Sequence, residues 1–362
     1  MPPIPLVDVK AQYAPLVPEL KAAFADVLED GRFVRGPNVK AFEREAAAHL
    51  GVPEAIGVAN GTDALVLVLE ALGIGPGDEV VCPAFTFYAT AESIARCGAT
   101  PVFADIDPST LNLDPADVAD RITPRTKAIM PVHLFGRPAP LGALAELDLP
   151  IVEDAAQAFG APGIATTGVA STFSFYPTKN LFGLGDGGLV AVMEQELGER
   201  VRMLAFHGSR DKVIFEYVGT NSRLDEIQAA ALRIFLTHLD GWNLTRREAA
   251  ARYVELGLGE LCELPVDEPG HVYHLFVCRS PERDRIRAVL REAGIGSGQY
   301  YLPPLHLQPA LRYLGYSEGS LPVTERVAAE NFSLPLWAGI APEQQGRVVD
   351  TVAAALSVAP VP

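Results

Sequence analysis

The segment 150-PIVEDAAQAFGAPGIATTGVASTFSFYPTKNLFGLGDGG-188 sets the frame for the whole chain. It contains two short apolar runs with chemistry at their ends. Residues 151–154 read as a buried strand that closes on Asp154. Residues 171–176 read as a second strand, after which Pro177 turns the chain and Lys179 follows. A glycine-rich run, 183–188, then leads into a third strand at 188–193. Working upstream, apolar strands at 55–59, 79–82, 101–106 and 127–134 alternate with helical patterns at 62–72, 88–97, 114–122 and 141–147. That alternation predicts a three-layer α/β/α domain with a mainly parallel central sheet. The nearly unbroken apolar strands fit burial on both faces. Downstream, 224–256 reads as one long helix broken near Gly241. A strand at 271–279, a helix at 281–293 and a Gly-, Pro- and Tyr-rich loop at 294–309 follow, which predicts a smaller C-terminal α/β domain. The expected division is 1–240 and 241–362.

Composition narrows the class. The chain has 362 residues, 49% hydrophobic and 20% charged, enough apolar surface to offset the ordering entropy of a folded core. A formal net charge of −16 disfavours nucleic-acid binding by bulk electrostatics. The four cysteines, Cys82, Cys97, Cys262 and Cys278, lie among apolar residues with no CxxC spacing, so free thiols are expected and no metal site. No basic-then-apolar leader is visible, and no apolar run reaches the roughly 18 residues of a membrane span. The expectation is a cytoplasmic protein with no membrane association.

Three segments carry chemistry. Asn60-Gly61-Thr62-Asp63 follows a strand and opens an apolar helix, where unpaired backbone N–H groups and the helix dipole favour an anion. Asp154 stands at the carboxyl end of a strand, where open α/β sheets place their ligands. Gln157 follows one turn later. Lys179 lies after an aromatic strand, and a lysine in an apolar pocket becomes nucleophilic toward aldehydes. Each segment alone is an ordinary helix cap or a surface lysine. Together they form the set that pyridoxal phosphate requires: an anchor for its phosphate, a carboxylate for its ring nitrogen and a lysine for its aldehyde. Phe85 and Phe87 share a face if 83–87 is extended, and offer a cover for the ring.

The chain resembles the DegT-type sugar-nucleotide aminotransferases, a branch of the fold-type-I pyridoxal-phosphate enzymes. The resemblance rests on LVDVKAQY (6–13), NGTDAL (60–65), LGIGPGDEVVCPAFTFYATAES (72–93), GATPVFADIDPSTLNLDP (98–115), ITPRTKAIMPVHLFGRPA (122–139), PIVEDAAQAFGA (150–161), FSFYPTKNLFGLGDGG (173–188), NSRLDEIQAA (221–230) and PLHLQPA (304–310). It implies that Lys179 forms the internal aldimine and shuttles the proton. It places Asp154 at the pyridinium nitrogen, Gln157 near the ring hydroxyl, and Gly61, Thr62 and Ser174 at the phosphate. Phe87 would stack on the ring, and Asn221 would reach the phosphate of a neighbouring subunit, in a homodimer with shared active sites. Tyr301 and His306 are expected near the substrate entrance. The implied reaction passes an amino group from L-glutamate, or glutamine, to a nucleotide-linked keto-sugar through a pyridoxamine phosphate intermediate. A free keto-cyclitol acceptor, an aminohydroxybenzoate-type synthase and a catalytically silent regulatory paralogue are the alternatives. Arg210, Lys212 and Arg223 are candidates to meet a diphosphate.

Two stretches depart from the family pattern: 161–170 is short, and 299–304 reads QYYLPP where His-Tyr-Pro is commoner. The intact lysine argues against the family's dehydratase branch, which carries histidine at that position.

Overall fold

The computed structural model describes residues 2–357. Three helices open the chain: α1 (Val9–Tyr13), α2 (Val17–Asp30) and α3 (Pro37–Leu50). The alternating part follows as β1 (Glu54–Val58), α4 (Gly61–Ala71), β2 (Glu79–Pro83), α5 (Ala89–Arg96), β3 (Thr100–Ala104), α6 (Pro115–Arg121), β4 (Thr126–Ile129), α7 (Leu141–Ala145), β5 (Val152–Asp154), β6 (Ala170–Ser174) and β7 (Gly188–Val192). Then come α8 (Gln195–Leu204), α9 (Glu226–Leu236), α10 (Leu239–Glu255), β8 (Phe276–Arg279), α11 (Arg283–Glu292), α12 (Pro322–Glu330), β9 (Asn331–Leu334) and α13 (Pro342–Ser357).

Two sheets, β1-β7-β6-β5 and β3-β2-β4, meet edge to edge through parallel bridges from Ile129 to Ile151 and from Val132 to Asp154. Within them β2 pairs parallel with β3 and β4, and β5 with β6, while β7 runs antiparallel to both its neighbours. The sheet alternates its side chains between two helical layers. Val80, Cys82, Val152 and Val190 pack toward α4, α5 and α8. On the other face, Phe173, Phe175 and Leu189 pack toward α3 and α9, and Val81 and Ile129 toward α6 and α7. This is the expected three-layer arrangement, and it sends the side chains of Glu153 and Asp154 to opposite faces.

A separate core joins α10, α11 and α13 to the antiparallel pair β8–β9. Ile4 joins that core and pairs with Ile295. Leu305, Leu311 and Leu321 pack back against the main sheet.

Several local expectations change. The stretch 224–256 is two helices, and the break falls at Thr237 and His238 rather than at Gly241. Gly241 instead sits in the first turn of α10, where a side chain would meet open space. The strand read at 271–279 narrows to Phe276–Arg279, because 272–274 is held backbone to backbone by Gly136 and Phe135. Residues 84–86 form a bend rather than a continuation of β2. Phe85 is therefore buried while Phe87 is 56% exposed, and the two do not share a face.

Candidate active site

The carboxyl end of β5 presents Asp154 to the face covered by α5. The aspartate is 5% exposed, and its two oxygens accept from Thr90 Oγ1 at 2.8 Å and from the Ala156 N–H at 3.2 Å. Burial raises its proton affinity above the ordinary carboxylate value, and Thr90, Ala156 and the charge of Lys179 oppose that rise. Thr90 lies inside the 72–93 motif, but no role was read for it there. Its signal was positional: a hydroxyl at the start of the helix that follows β2.

Lys179 faces Asp154 from the 175–187 loop. The chain has six lysines; Lys10, Lys21, Lys40, Lys127 and Lys212 are exposed, and Lys179 alone is half-buried. Burial lowers its pKa to about 8, against the pull of the Asp154 carboxylate. A lysine so placed holds a useful fraction of free amine near neutral pH.

The cup forms where α4 begins. Asn60 caps the helix by accepting from the Asp63 N–H at 2.8 Å, which leaves the N–H groups of Gly61 and Thr62 without helical partners. Gly61 lies so close to the end of β6 that a Cβ there would stand 2.8 Å from Ser174 Cβ. Ser174 Oγ accepts weakly from the Tyr176 N–H at 3.3 Å. Gly188 must also be glycine, since a Cβ would fall 2.4 Å from the Asn60 backbone. The residues present therefore fit pyridoxal phosphate: an amine of low proton affinity, a carboxylate kept in place by two donors, and a glycine cradle with a hydroxyl beside it.

Gln157 is buried and engaged at both ends. Its Oε1 accepts from the Phe135 N–H at 2.7 Å, and its Nε2 donates to the Tyr301 hydroxyl at 3.0 Å. Tyr301 thus lines this site, with its ring 6.0 Å from that of Phe87 and stacked against Phe135 at 6.4 Å. His306 does not join it. It is buried against Glu325 at 3.0 Å, and its ring meets Tyr316. Asn221 is exposed, and its backbone pairs with Phe206. It caps no helix, because α9 starts at Glu226 behind Asp225. Its neighbour Ser222 accepts from the Ala59 N–H at 3.0 Å, just before the cup.

A second group was not foreseen. Glu153, fully buried on the opposite face, accepts from His133 Nε2 at 2.9 Å and from the N–H groups of Ala165 and Gly168, each at 2.8 Å. Burial pushes its carboxyl up, but His133 and the two N–H groups outweigh burial and hold it below the ordinary value. The Ala139 N–H donates to His133 Nδ1, so Nε2 carries the proton toward Glu153. The short 161–170 stretch is fastened from beneath by this carboxylate.

Fold and site together fit the class of pyridoxal-phosphate-dependent enzymes. The DegT/DnrJ/EryC1/StrS aminotransferase family model matches residues 16–353, and the chain belongs to that family. It is 46% identical to a "Pleiotropic regulatory protein" of Geobacillus stearothermophilus, over 97% of this chain and 98% of that one. It is 47% identical to the dTDP-3-amino-3,4,6-trideoxy-alpha-D-glucose transaminase of Streptomyces venezuelae, over 97% and 96%. The crystal structure of S. venezuelae DesV in complex with a ketimine intermediate superposes with a TM-score of 0.95 at 46% identity, covering 99% of this chain and all of that one. Among the described residues no helix is long and apolar enough to cross a membrane.

Proposed function

We propose that this aminotransferase carries an amino group from L-glutamate, or glutamine, to a nucleotide-linked keto-sugar, with Lys179 as the residue that bears the cofactor. The observation that carries the proposal is the meeting of the one half-buried lysine with a buried, hydrogen-bonded aspartate beside a glycine cradle. The sugar acceptor rests on the transaminase relative named above. Pyridoxal phosphate, when bound, supplies an aldehyde for amine exchange and a ring that accepts electrons. The chain's own residues do the rest. Gly61 and Thr62 N–H groups and the Ser174 hydroxyl hold the phosphate. The Asp154 carboxylate keeps the ring nitrogen protonated. Gln157 and Tyr301 bound the ring's edge, and Phe87 covers its face. Lys179 Nζ, uncharged in part near neutral pH, takes the proton from the substrate carbon and returns it. Such placed proton transfer is worth on the order of 10² to 10⁴ in rate.

The proposal includes a homodimer in which Asn221 of one subunit reaches the other's phosphate. An apolar tip supports it: Val213, Ile214, Phe215 and Val218 are 76%, 67%, 57% and 99% exposed, a surface that a second copy would cover. Of the cations considered for a diphosphate, Arg210 is paired with Glu199 and Glu216, and Lys212 lies over the Phe206 ring. Arg223 follows Ser222, whose hydroxyl meets the Ala59 N–H just before the cup, and on that placement it is the side chain put forward for the diphosphate.

The test is spectroscopic. L-glutamate should bleach the visible band of the cofactor-loaded protein, and a nucleotide keto-sugar should restore it. Recovery with a free keto-cyclitol alone would move the acceptor to that class. No response to any amino acid would point to the silent paralogue.

A further inference from the structure

Lys179 is the one residue of the site whose side chain must change partners during a catalytic cycle, so what holds its backbone still matters. The 175–187 loop is closed by three backbone hydrogen bonds: Phe175 N–H to Gly187 O at 2.8 Å, Lys179 N–H to Tyr176 O at 2.8 Å and Gly183 N–H to Phe175 O at 2.6 Å. These bonds are local to the loop. Its far end is fixed to the helices by the Leu184 N–H, which donates to Gln228 Oε1 at 2.8 Å, and by Phe182, stacked against Phe235 and Trp242. Beside the lysine itself the anchor is the next residue. Asn180 is 1% exposed, and its Nδ2 donates to Asn243 Oδ1 at 2.8 Å and to the Val272 carbonyl at 2.9 Å. Both contacts are acceptors, so the orientation of the Asn180 amide is determined.

Asn243 comes from α10 and completes the link. Its Nδ2 donates to the Phe159 carbonyl at 3.2 Å, two residues beyond Gln157. Gly160 packs so tightly there that a Cβ would lie 2.8 Å from that nitrogen. One turn further along α10, the fully buried Arg246 donates to the Tyr273 carbonyl at 3.2 Å and to Gln12 Oε1 at 3.2 Å, and so holds the 272–274 backbone on which Asn180 also rests. A single amide pair thus ties three things together: the loop of Lys179, the turn after Asp154 and Gln157, and the backbone leading into β8.

Buried amides are a poor way to gain stability, since apolar side chains of similar size fill such space without any polar group to satisfy. Their value is directional. Removing either partner breaks the link between them and leaves each survivor only its backbone bond, to Val272 or to Phe159, which loosens the loop.

We infer that Asn180 and Asn243 are positioning residues for Lys179: the amide pair sets where the lysine amine stands relative to Asp154, without touching substrate or cofactor. The inference rests on the proposal that Lys179 bears the cofactor.

The test uses Asn180→Ala, Asn243→Ala, the double variant and the milder Asn180→Ser, beside wild type and Lys179→Ala. In cofactor-free protein, hydrogen exchange of the 175–187 peptides should speed up about tenfold in each single variant, while β2 and α4 stay unchanged. With cofactor bound, the pH midpoint of the visible band should move by about half a unit or more. Turnover should fall roughly tenfold while the KM for the amino donor stays within about twofold, the pattern of lost positioning rather than lost binding. The double variant should be no worse than the worse single one. Asn180→Ser, which keeps a donor, should recover part of the loss, and its exchange rate decides the matter if the alanine variants do not fold. Unchanged exchange in the loop, additive losses or an effect on KM alone would overturn the inference. A wild-type band that survives Lys179→Ala would instead strike the reading of Lys179 itself.

Discussion

Replacing Lys179 by methionine should stabilise the cofactor-free protein at neutral pH. The ammonium is drawn out of water without full compensation, so its pKa falls from the ordinary 10.5 to about 8. Below pH 8 both folded and unfolded chains hold the proton, and the folded one bears the whole penalty. Between about 8 and 10.5 only the unfolded chain stays protonated, and the penalty fades as pH rises. At about 1.4 kcal/mol per pKa unit the full difference is roughly 3.5 kcal/mol. That figure is already net of the attraction for Asp154, and the half-buried amine is partly screened, so a gain of about 1–2 kcal/mol is expected. Urea denaturation of wild type and Lys179→Met, both stripped of cofactor, reads this directly between pH 6.5 and 10. The variant should have the higher midpoint at pH 7, and the two curves should converge toward pH 10. A variant that is less stable at pH 7, or a gap that does not change with pH, would refute the desolvation argument.

Thr90→Val removes a hydrogen bond to a buried carboxylate, worth about 1.5–3 kcal/mol, so the Kd for pyridoxal phosphate should rise about 10- to 150-fold while Thr90→Ser stays near wild type. Without that donor Asp154 binds its proton still more tightly, so the loss should be larger at pH 6 than at pH 8; equal losses would contradict it. Glu153→Gln weakens the bonds to His133 and the 165–168 backbone and should cost about 1–3 kcal/mol of stability at pH 7. Because the Glu153 carboxyl is held below its ordinary value, wild type should keep this advantage above the normal carboxylate range and lose it only as acid protonates Glu153; thermal melts between pH 3 and 7 check the sign. Mixing inactive Asn221→Ala and Lys179→Ala subunits should restore up to about a quarter of the activity if sites are shared across a dimer, from the random pairing of two subunit types. Mixtures that stay inactive would remove Asn221 from the neighbouring site.

The main sheet was legible because its buried strands are nearly all apolar and because α4 and α6 open on capping residues, Asn60 and Asp114. Asp154, Lys179 and Gly61 were legible because each chemistry needs one residue type at the end of a regular element. Other features depend on distant chain segments and leave no local trace. Thr90 reaches Asp154 across 64 residues of sequence, and His133 reaches Glu153 across 20. The split between Phe85 and Phe87 came from a bend that the extended reading of 83–87 did not anticipate. The opening helices α1–α3 lie outside the alternating pattern, and no helix was read for 9–50. Yet Pro37 at the head of α3 and Gly51 just past its end are ordinary helix boundaries. The break at Thr237 and His238 carries no glycine or proline. Phe235 and Trp242, on either side of it, both stack on Phe182, a contact with a distant loop that leaves no local trace.

The central claim is that Lys179 bears the cofactor. Borohydride reduction of the protein loaded with pyridoxal phosphate, followed by peptide mapping, tests it most directly. The account predicts the cofactor's mass on the peptide containing Lys179 and on none containing the five exposed lysines. Label on any of those five, or an unlabelled Lys179 peptide, would contradict it.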